Sequence, residues 1–369
     1  MARVAVIGGG QLARMMQQSA IGLGLRLRLL AEGPDVSAAQ VIPDMIVGDH
    51  TVLTDLEAAA EGAAVVTFDH EHVPPEHLRA LAAAGHAPRP GPHALLYAQD
   101  KGEMRSRLTE MGVPCPRWAF VATAADVAEF GLPAVLKTTR GGYDGKGVWV
   151  VREPEDAEDA FSSGAQLIAE ELVDFRRELS AQIARRPGGE VVAYPVVESR
   201  QAGGVCAEVV APAPDLDPAL AEAAAALAVR VATELDVVGM LAVELFETAD
   251  GRILVNELAM RPHNTGHWSI DGAVTSQFEN HLRAVADLPL GPSAPLRPWS
   301  VMVNVLGGRV EDLEGQLPAV FEAVPHAKVH LYGKAVEPGR KVGHVTVVGD
   351  DLDAVLANAR RAAGLLVDG

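Results

Sequence analysis

The chain has 369 residues, 49% of them hydrophobic and 22% charged, enough for two or three domains with cores of their own and the balance of an ordinary globular protein. A formal charge of −18 excludes a broad binding field for nucleic acid or an anionic membrane, so any phosphate must be met by a local cluster of cations. Cys115 and Cys206 make no framework, the first apolar strand begins at Arg3, and the alanine-rich run 219–232 is broken by Glu222 and Arg230; a cytoplasmic protein without signal peptide or membrane span is expected.

Residues 1–93 alternate strands at 3–7, 25–30 and 63–67 with helices at 11–22, 52–61 and 75–84, the pattern of parallel βαβ units. Between the first strand and helix lies Gly8-Gly9-Gly10-Gln11-Leu12-Ala13, with Glu32 ending the second strand. This satisfies the dinucleotide fingerprint in its expected context and makes a nicotinamide-dependent oxidoreductase one reading of the chain. More generally, glycines let backbone approach an anion at a helix N-terminus, and the Gln11 amide sits at the loop tip. His70, Glu71 and His72 contain metal-ligand residue types, but consecutive strand residues point apart, so no metal site is expected there.

The run Ala87-Pro-Arg-Pro-Gly-Pro marks a boundary and opens a second segment, 94–290. A helix at 100–111 precedes a strand–loop–strand unit at 134–151, a hairpin pair at 167–197 and a long helix at 218–235. Lys137 ends one apolar strand, and the loop after it carries four glycines among Gly141–Gly147, with Tyr143, Asp144 and Lys146 between them. Such a loop can close its backbone N–H groups over phosphates. It is no Walker A loop, because Lys146 is followed by glycine and a strand.

Next comes a hairpin with Asp250-Gly251 at its turn. A two-residue loop there predicts that Phe246 faces Val255 and Glu244 faces Glu257. Directly opposed residues share a sheet face with Cβ atoms ~5 Å apart, where like charges destabilise the pair. Two carboxylates so placed in apolar strands call for a hard divalent cation, and magnesium held by carboxylates commonly arrives with substrate phosphates. Past a second proline-rich linker, segment 291–369 carries strands near 300–306, 327–332 and 342–348 and a final helix.

The strand-end lysine, the Gly-Gly-Tyr-Asp-Gly-Lys-Gly loop, the strand end Glu170-Glu171-Leu172-Val173 and the later Glu244…Asn256-Glu257 resemble the ATP-grasp fold. That implies an α/β and α+β protein: a Rossmann-like pre-ATP-grasp domain at 1–93, an ATP-grasp domain at 94–290 and a small β-rich domain at 291–369 completing the substrate site. Gly9-Gly-Gln-Leu-Ala-Arg-Met, Phe68-Asp-His-Glu-His-Val-Pro, Arg261-Pro-His-Asn-Thr-Gly-His-Trp, Ser276-Gln-Phe-Glu-Asn-His-Leu-Arg-Ala and Pro338-Gly-Arg-Lys-Val-Gly-His are similar, in order, to the biotin-independent 5-(carboxyamino)imidazole ribonucleotide synthetases of purine biosynthesis.

The resemblance implies an ATP-dependent ligase that joins bicarbonate to 5-aminoimidazole ribonucleotide. Lys101 and Lys137 would bind the nucleotide phosphates beneath Gly142, Tyr143, Asp144, Gly145, Lys146, Gly147 and Val148. Glu170, Glu171, Leu172 and Val173 would lie against adenine, with Glu170 accepting from its amino group, and Glu178 would take the ribose. Glu244, Asn256 and Glu257 would hold Mg²⁺, with Mn²⁺ as the alternative. Arg261, His263 and Asn264, with Tyr143 and Asp144 on the flap, form the implied catalytic set around bicarbonate. Gln11, Leu12, Glu71, Lys334, Arg340 and Lys341 would meet the ribonucleotide. In one departure, Gln201 stands where many relatives carry histidine. A homodimer is implied too. Competing readings are a formate-using glycinamide ribonucleotide transformylase, the oxidoreductase above, and a non-catalytic nucleotide-binding regulator.

Overall fold

The structure, a computed structural model, describes residues 2–142 and 146–369; the expected roles of Tyr143, Asp144 and Gly145 fall outside the described residues. Strands β1 (Arg3–Ile7), β2 (Arg26–Ala31), β3 (Met45–Val47) and β4 (Val65–Phe68) form a parallel sheet in the order β3-β2-β1-β4. The two strands β1 and β4 read as nearly continuous apolar runs because both their faces are covered. Ala5 and Ile7 join one core and Val4 and Val6 another. Strand order reverses between β1 and β4, and ligands of open parallel sheets bind beyond the carboxyl ends at such a switch point. The loops there are Gly8–Gly10 and Asp69–His72.

Strands β5 (Trp118–Val121), β6 (Ala134–Thr138), β7 (Val148–Val151) and β8 (Leu167–Glu171) make a small antiparallel sheet, β5-β8-β6-β7. The expected hairpin pair at 167–197 is corrected by this topology. β8 pairs with β5 and β6, and only the strands after it enter the large sheet. Local patterning shows that β8 is apolar and buried, but says nothing about which distant edge it joins.

The third sheet contains β9 (Phe175–Arg185), β10 (Val191–Ala193), β11 (Val197–Ala202), β12 (Val205–Ala211), β13 (Gly239–Thr248), β14 (Ile253–Ala259), β15 (Trp299–Leu306), β16 (Lys328–Leu331) and β17 (Lys341–Gly349). Its order is β14-β13-β9-β11-β12-β15-β17-β16, with β10 beside β9. The β12–β15 pairing carries the sheet across residue 291, so the C-terminal segment extends the central sheet. Core contacts join the segments further: Leu179, Leu241 and Leu258 pack with Ile7 and Phe68, while Phe278, Leu282 and Tyr332 pack with Val4 and Val6. Among the described residues no helix is long and apolar enough to cross a membrane.

The acidic hairpin differs instructively from expectation. Thr248 N–H donates to Arg252 C=O at 2.9 Å and Gly251 N–H to Thr248 C=O at 2.9 Å, so the loop has three residues, Ala249-Asp250-Gly251. Gly251 takes φ +79°, the left-handed conformation that closes such loops. Phe246 therefore pairs with Leu254, not Val255. A bulge then inserts Asn256 into β14, and Glu244 pairs with Glu257 after all. The longer loop and the bulge cancel in register, and the bulge turns Asn256 and Glu257 toward the same cleft, a common use of bulges beside functional sites.

Candidate functional site

Two chambers meet at the paired glutamates. The first, about 430 Å³, is walled by Lys101, Lys137, Gly142, Lys146, Val148, Glu170, Glu171, Leu172, Val173, Glu178, Gln201 and Asn256. The second, about 320 Å³, lies at the switch point of the parallel sheet and is lined by Gln11, Leu12, Asp69, Glu71, Arg261 and His267. Lys101, Gly142, Glu244, Glu257, His263, Asn264 and Lys341 line both.

In the first chamber, Asp100 caps the helix Lys101–Glu110 by accepting from the Gly102 and Glu103 amides, which places Lys101 at the chamber edge. Its Nζ lies 3.2 Å from Glu257 Oε1. Lys137, at the end of β6, donates to Glu170 Oε2 at 2.9 Å and to Asn256 Oδ1 at 3.0 Å. Glu170 Oε1 takes Arg105 Nε at 2.6 Å. Both Glu170 oxygens are engaged by buried cations, so the carboxylate holds Lys137 in place. Burial opposes Glu170 ionisation, but Arg105 and Lys137 outweigh it and hold the carboxyl at about 2. A depressed folded pKa stabilises fully above the ordinary value of 4.5, with loss as pH falls toward 2. The denaturant midpoint of wild type should therefore drop across that window. Glu170→Gln should show a shallower drop, and parallel pH profiles would refute this assignment.

Burial pushes the Glu178 carboxyl up; the Gln201 amide opposes this, while Glu244 and Glu257 reinforce it. Gln201 also donates to Ser199 Oγ at 2.9 Å. Glu178, Glu244 and Glu257 together line an oxygen-rich site suited to a hard cation. Glu244 keeps 29% of its side-chain surface open, with Oε1 3.2 Å from His263 Nε2. Burial works against its charge, but His263, Arg261 and Lys101 outweigh burial and hold the carboxyl below its ordinary value.

In the second chamber, Glu71 accepts from the Met260 amide at 2.6 Å and from Arg261 Nε at 3.2 Å. Glu71 therefore orients Arg261. His263 Nδ1 lies 2.8 Å from Thr265 Oγ1, and the amide of buried Gln277 brackets the His263 backbone, accepting from its N–H at 2.9 Å and donating to its C=O at 2.8 Å. Lys334 Nζ donates to Gln11 Oε1. Burial lowers the Lys334 pKa; Asp69 opposes this, while Arg340 and Lys341 add to the lowering. Arg340 itself is exposed and pairs with Glu337 at 2.7 Å; it lines neither chamber but lies close enough to Lys334 to act on its charge.

The glycine loop departs from the dinucleotide expectation. Asp69 accepts from Gly10 N at 3.1 Å and Ala13 N at 2.7 Å, so a carboxylate already occupies the helix N-terminus where a pyrophosphate would sit. The oxidoreductase reading is corrected on this ground. Burial pushes the Asp69 carboxyl up, against Ala13, His70, Arg261 and Lys334. A Cβ on Gly10 would stand 2.2 Å from Asp69 Oδ2. Gly10→Ala is expected to cost about 1–3 kcal/mol, read as a lower Tm; an unchanged Tm would mean Asp69 does not cap this helix. His70 turns to Glu32 at 3.7 Å and not to Glu71, and its Nδ1 accepts the His72 amide.

Sequence reasoning missed Arg105 and Asp69. Arg105 lies four residues after Lys101, one turn along the same helix face, which is the signal that could have found it. Asp69 had only its place after β4.

Family models match as a ribonucleotide synthetase preATP-grasp domain at residues 1–99, an ATP-grasp domain at 106–278 and a phosphoribosylaminoimidazole carboxylase C-terminal domain at 300–358. The N5-carboxyaminoimidazole ribonucleotide synthase of Corynebacterium ammoniagenes is 53% identical, over 99% of this chain and 92% of its own. That of Mycobacterium tuberculosis is 52% identical, over 99% and 88%. The crystal structure of the Thermus thermophilus synthetase superposes with a TM-score of 0.89 at 41% identity, covering 99% of each chain. The Aspergillus clavatus synthase in complex with ADP and 5-aminoimidazole ribonucleotide gives 0.91 at 30% identity, covering 99% of this chain and 98% of its own. The chain belongs to the N5-carboxyaminoimidazole ribonucleotide synthase family of ATP-grasp enzymes.

Proposed function

We propose that the protein joins bicarbonate to the exocyclic amine of 5-aminoimidazole ribonucleotide, converting ATP to ADP and phosphate, and that the two chambers hold the two nucleotides. The observation that carries this reading is the shared wall: Glu244 and Glu257, with Lys101, His263 and Asn264, line both chambers, while Lys137 lines only the first and Arg261 only the second. A relative that binds ADP together with 5-aminoimidazole ribonucleotide supports it.

Bicarbonate is a poor electrophile, so one of its oxygens first takes the γ-phosphoryl group and the bond to ADP breaks. The amine then attacks the carbonyl carbon, phosphate leaves and the nitrogen loses a proton. Phosphoryl transfer is chiefly positioning and charge neutralisation. Lys101 and Lys137 supply both for the triphosphate. Glu244, Glu257 and Asn256 offer oxygen donors that fit Mg²⁺, which when bound neutralises charge on the phosphates. Arg261, aimed by Glu71, can hold a planar oxyanion through two parallel N–H groups. His263, bonded to Glu244, is placed to hold or move a proton beside it. Lys146 and Gly142 at the first chamber's mouth are positioned to exclude water from the activated carboxyl group.

The test is phosphate release with each substrate omitted in turn. ATP hydrolysis should require bicarbonate and the aminoimidazole ribonucleotide together. Turnover that proceeds with formate and glycinamide ribonucleotide instead, or hydrolysis indifferent to all acceptors, would overturn the proposal.

A further inference from the structure

We infer that Arg105 is a positioning residue that fixes the phosphate-binding lysine and the carboxylate bulge relative to each other. The inference rests on the function proposed above. Arg105 is completely buried on the helix Lys101–Glu110, and its guanidinium spans two sheets. Nε donates to Glu170 on β8 at 2.6 Å, Nη1 to the Val255 carbonyl at 3.0 Å, and Nη2 to the Asn256 carbonyl at 2.8 Å. The second Glu170 oxygen takes Lys137 Nζ from β6 at 2.9 Å, and Lys137 returns to the Asn256 side chain at 3.0 Å.

These contacts close a ring: Arg105, Glu170, Lys137, Asn256 and back to Arg105. Its members come from the helix that begins with Lys101, from both middle strands of the small sheet, and from the bulge that carries Asn256 and Glu257. Among the described residues the small sheet and the hairpin share no strand pairing, so their relative placement depends on such bridges. Arginine suits the task because its planar fork meets a carboxylate and two carbonyls at once, whereas a lysine ammonium is a point donor. Two buried cations on one carboxylate also leave net positive charge at this end of the first chamber, matching a triphosphate.

A purely structural ion pair would have the same contacts, so the test needs a readout beyond stability. In Arg105→Lys the charge on Glu170 is kept while the two carbonyl contacts cannot both be. Displacing a phosphoryl-transfer group by about 1 Å costs on the order of 10²-fold in rate. We expect kcat to fall by roughly 10–10²-fold and the half-saturating Mg²⁺ concentration to rise, with KM for bicarbonate and for the ribonucleotide unchanged. A folded variant with lower Tm but wild-type kcat and Mg²⁺ dependence overturns the inference. If Arg105→Lys does not fold, Arg105→Gln carries the same test, because Glu170 then remains balanced by Lys137 and no buried charge is stranded. Wild type is assayed first in the same reaction; if it fails to turn over, the proposed function falls, independently of Arg105.

Discussion

Glu257→Gln is expected to lower kcat by roughly 10³-fold, about 4 kcal/mol of barrier, in a protein that still folds. Glu257 lies directly opposite Glu244 in the ladder and raises the cost of ionising Glu178. Removing its charge relieves repulsion within the acidic group. It also breaks the contact of Lys101, a partly open pair with 34% of the Glu257 side chain exposed, and such pairs contribute little to stability. The two changes offset in the fold, and the catalytic loss remains. Steady-state kinetics beside a thermal melt checks this: a variant that keeps a tenth of wild-type activity contradicts the assignment, as does one that loses activity only because it unfolds.

Arg261→Met should reduce kcat/KM for bicarbonate by roughly 10²–10³-fold, the scale of losing one preorganised oxyanion donor, and leave KM for ATP nearly unchanged. The split comes from position. Arg261 belongs to the second chamber, on the far side of the glutamate pair from Lys137 and Glu178. Glu71→Gln should show a milder version of the same defect, because Glu71 aims Arg261 without lying between the chambers. Initial rates over varied bicarbonate and ATP separate the two constants. Equal losses in both would mean that Arg261 serves the nucleotide or the fold, not the acceptor.

The βαβ alternation of residues 3–84 was legible because buried parallel strands are continuous apolar runs and their helices are amphipathic. β3 and β5 were not read from the sequence; β3, of three residues, is too short for periodicity to register. The Glu244–Glu257 pairing was legible, but through two departures that compensate: a third loop residue and the Asn256 bulge. A bulge depends on what packs against the strand, here Arg105 on its carbonyls, and local patterning does not contain that. Arg105 was hidden for a related reason. The helix KGEMRSRLTE is polar enough to read as solvated, and its long-range partners, Glu170 and the Val255 and Asn256 carbonyls, make burial of its arginine tolerable. The dinucleotide fingerprint misled because Gly8–Ala13 has the right local geometry for an anion, while the anion is supplied from within the chain by Asp69.

Everything proposed for the chemistry turns on the opposed glutamates holding a divalent cation on the nucleotide, at the wall between the two chambers. The most direct measurement is anomalous diffraction from crystals grown with Mn²⁺ and a non-hydrolysable ATP analogue. A manganese peak bonded to Glu257 and to Glu244 or Asn256 is expected, with analogue phosphates completing the coordination and reaching Lys101 and Lys137. A peak held elsewhere, with both carboxylates left to Lys101 and His263, would contradict it.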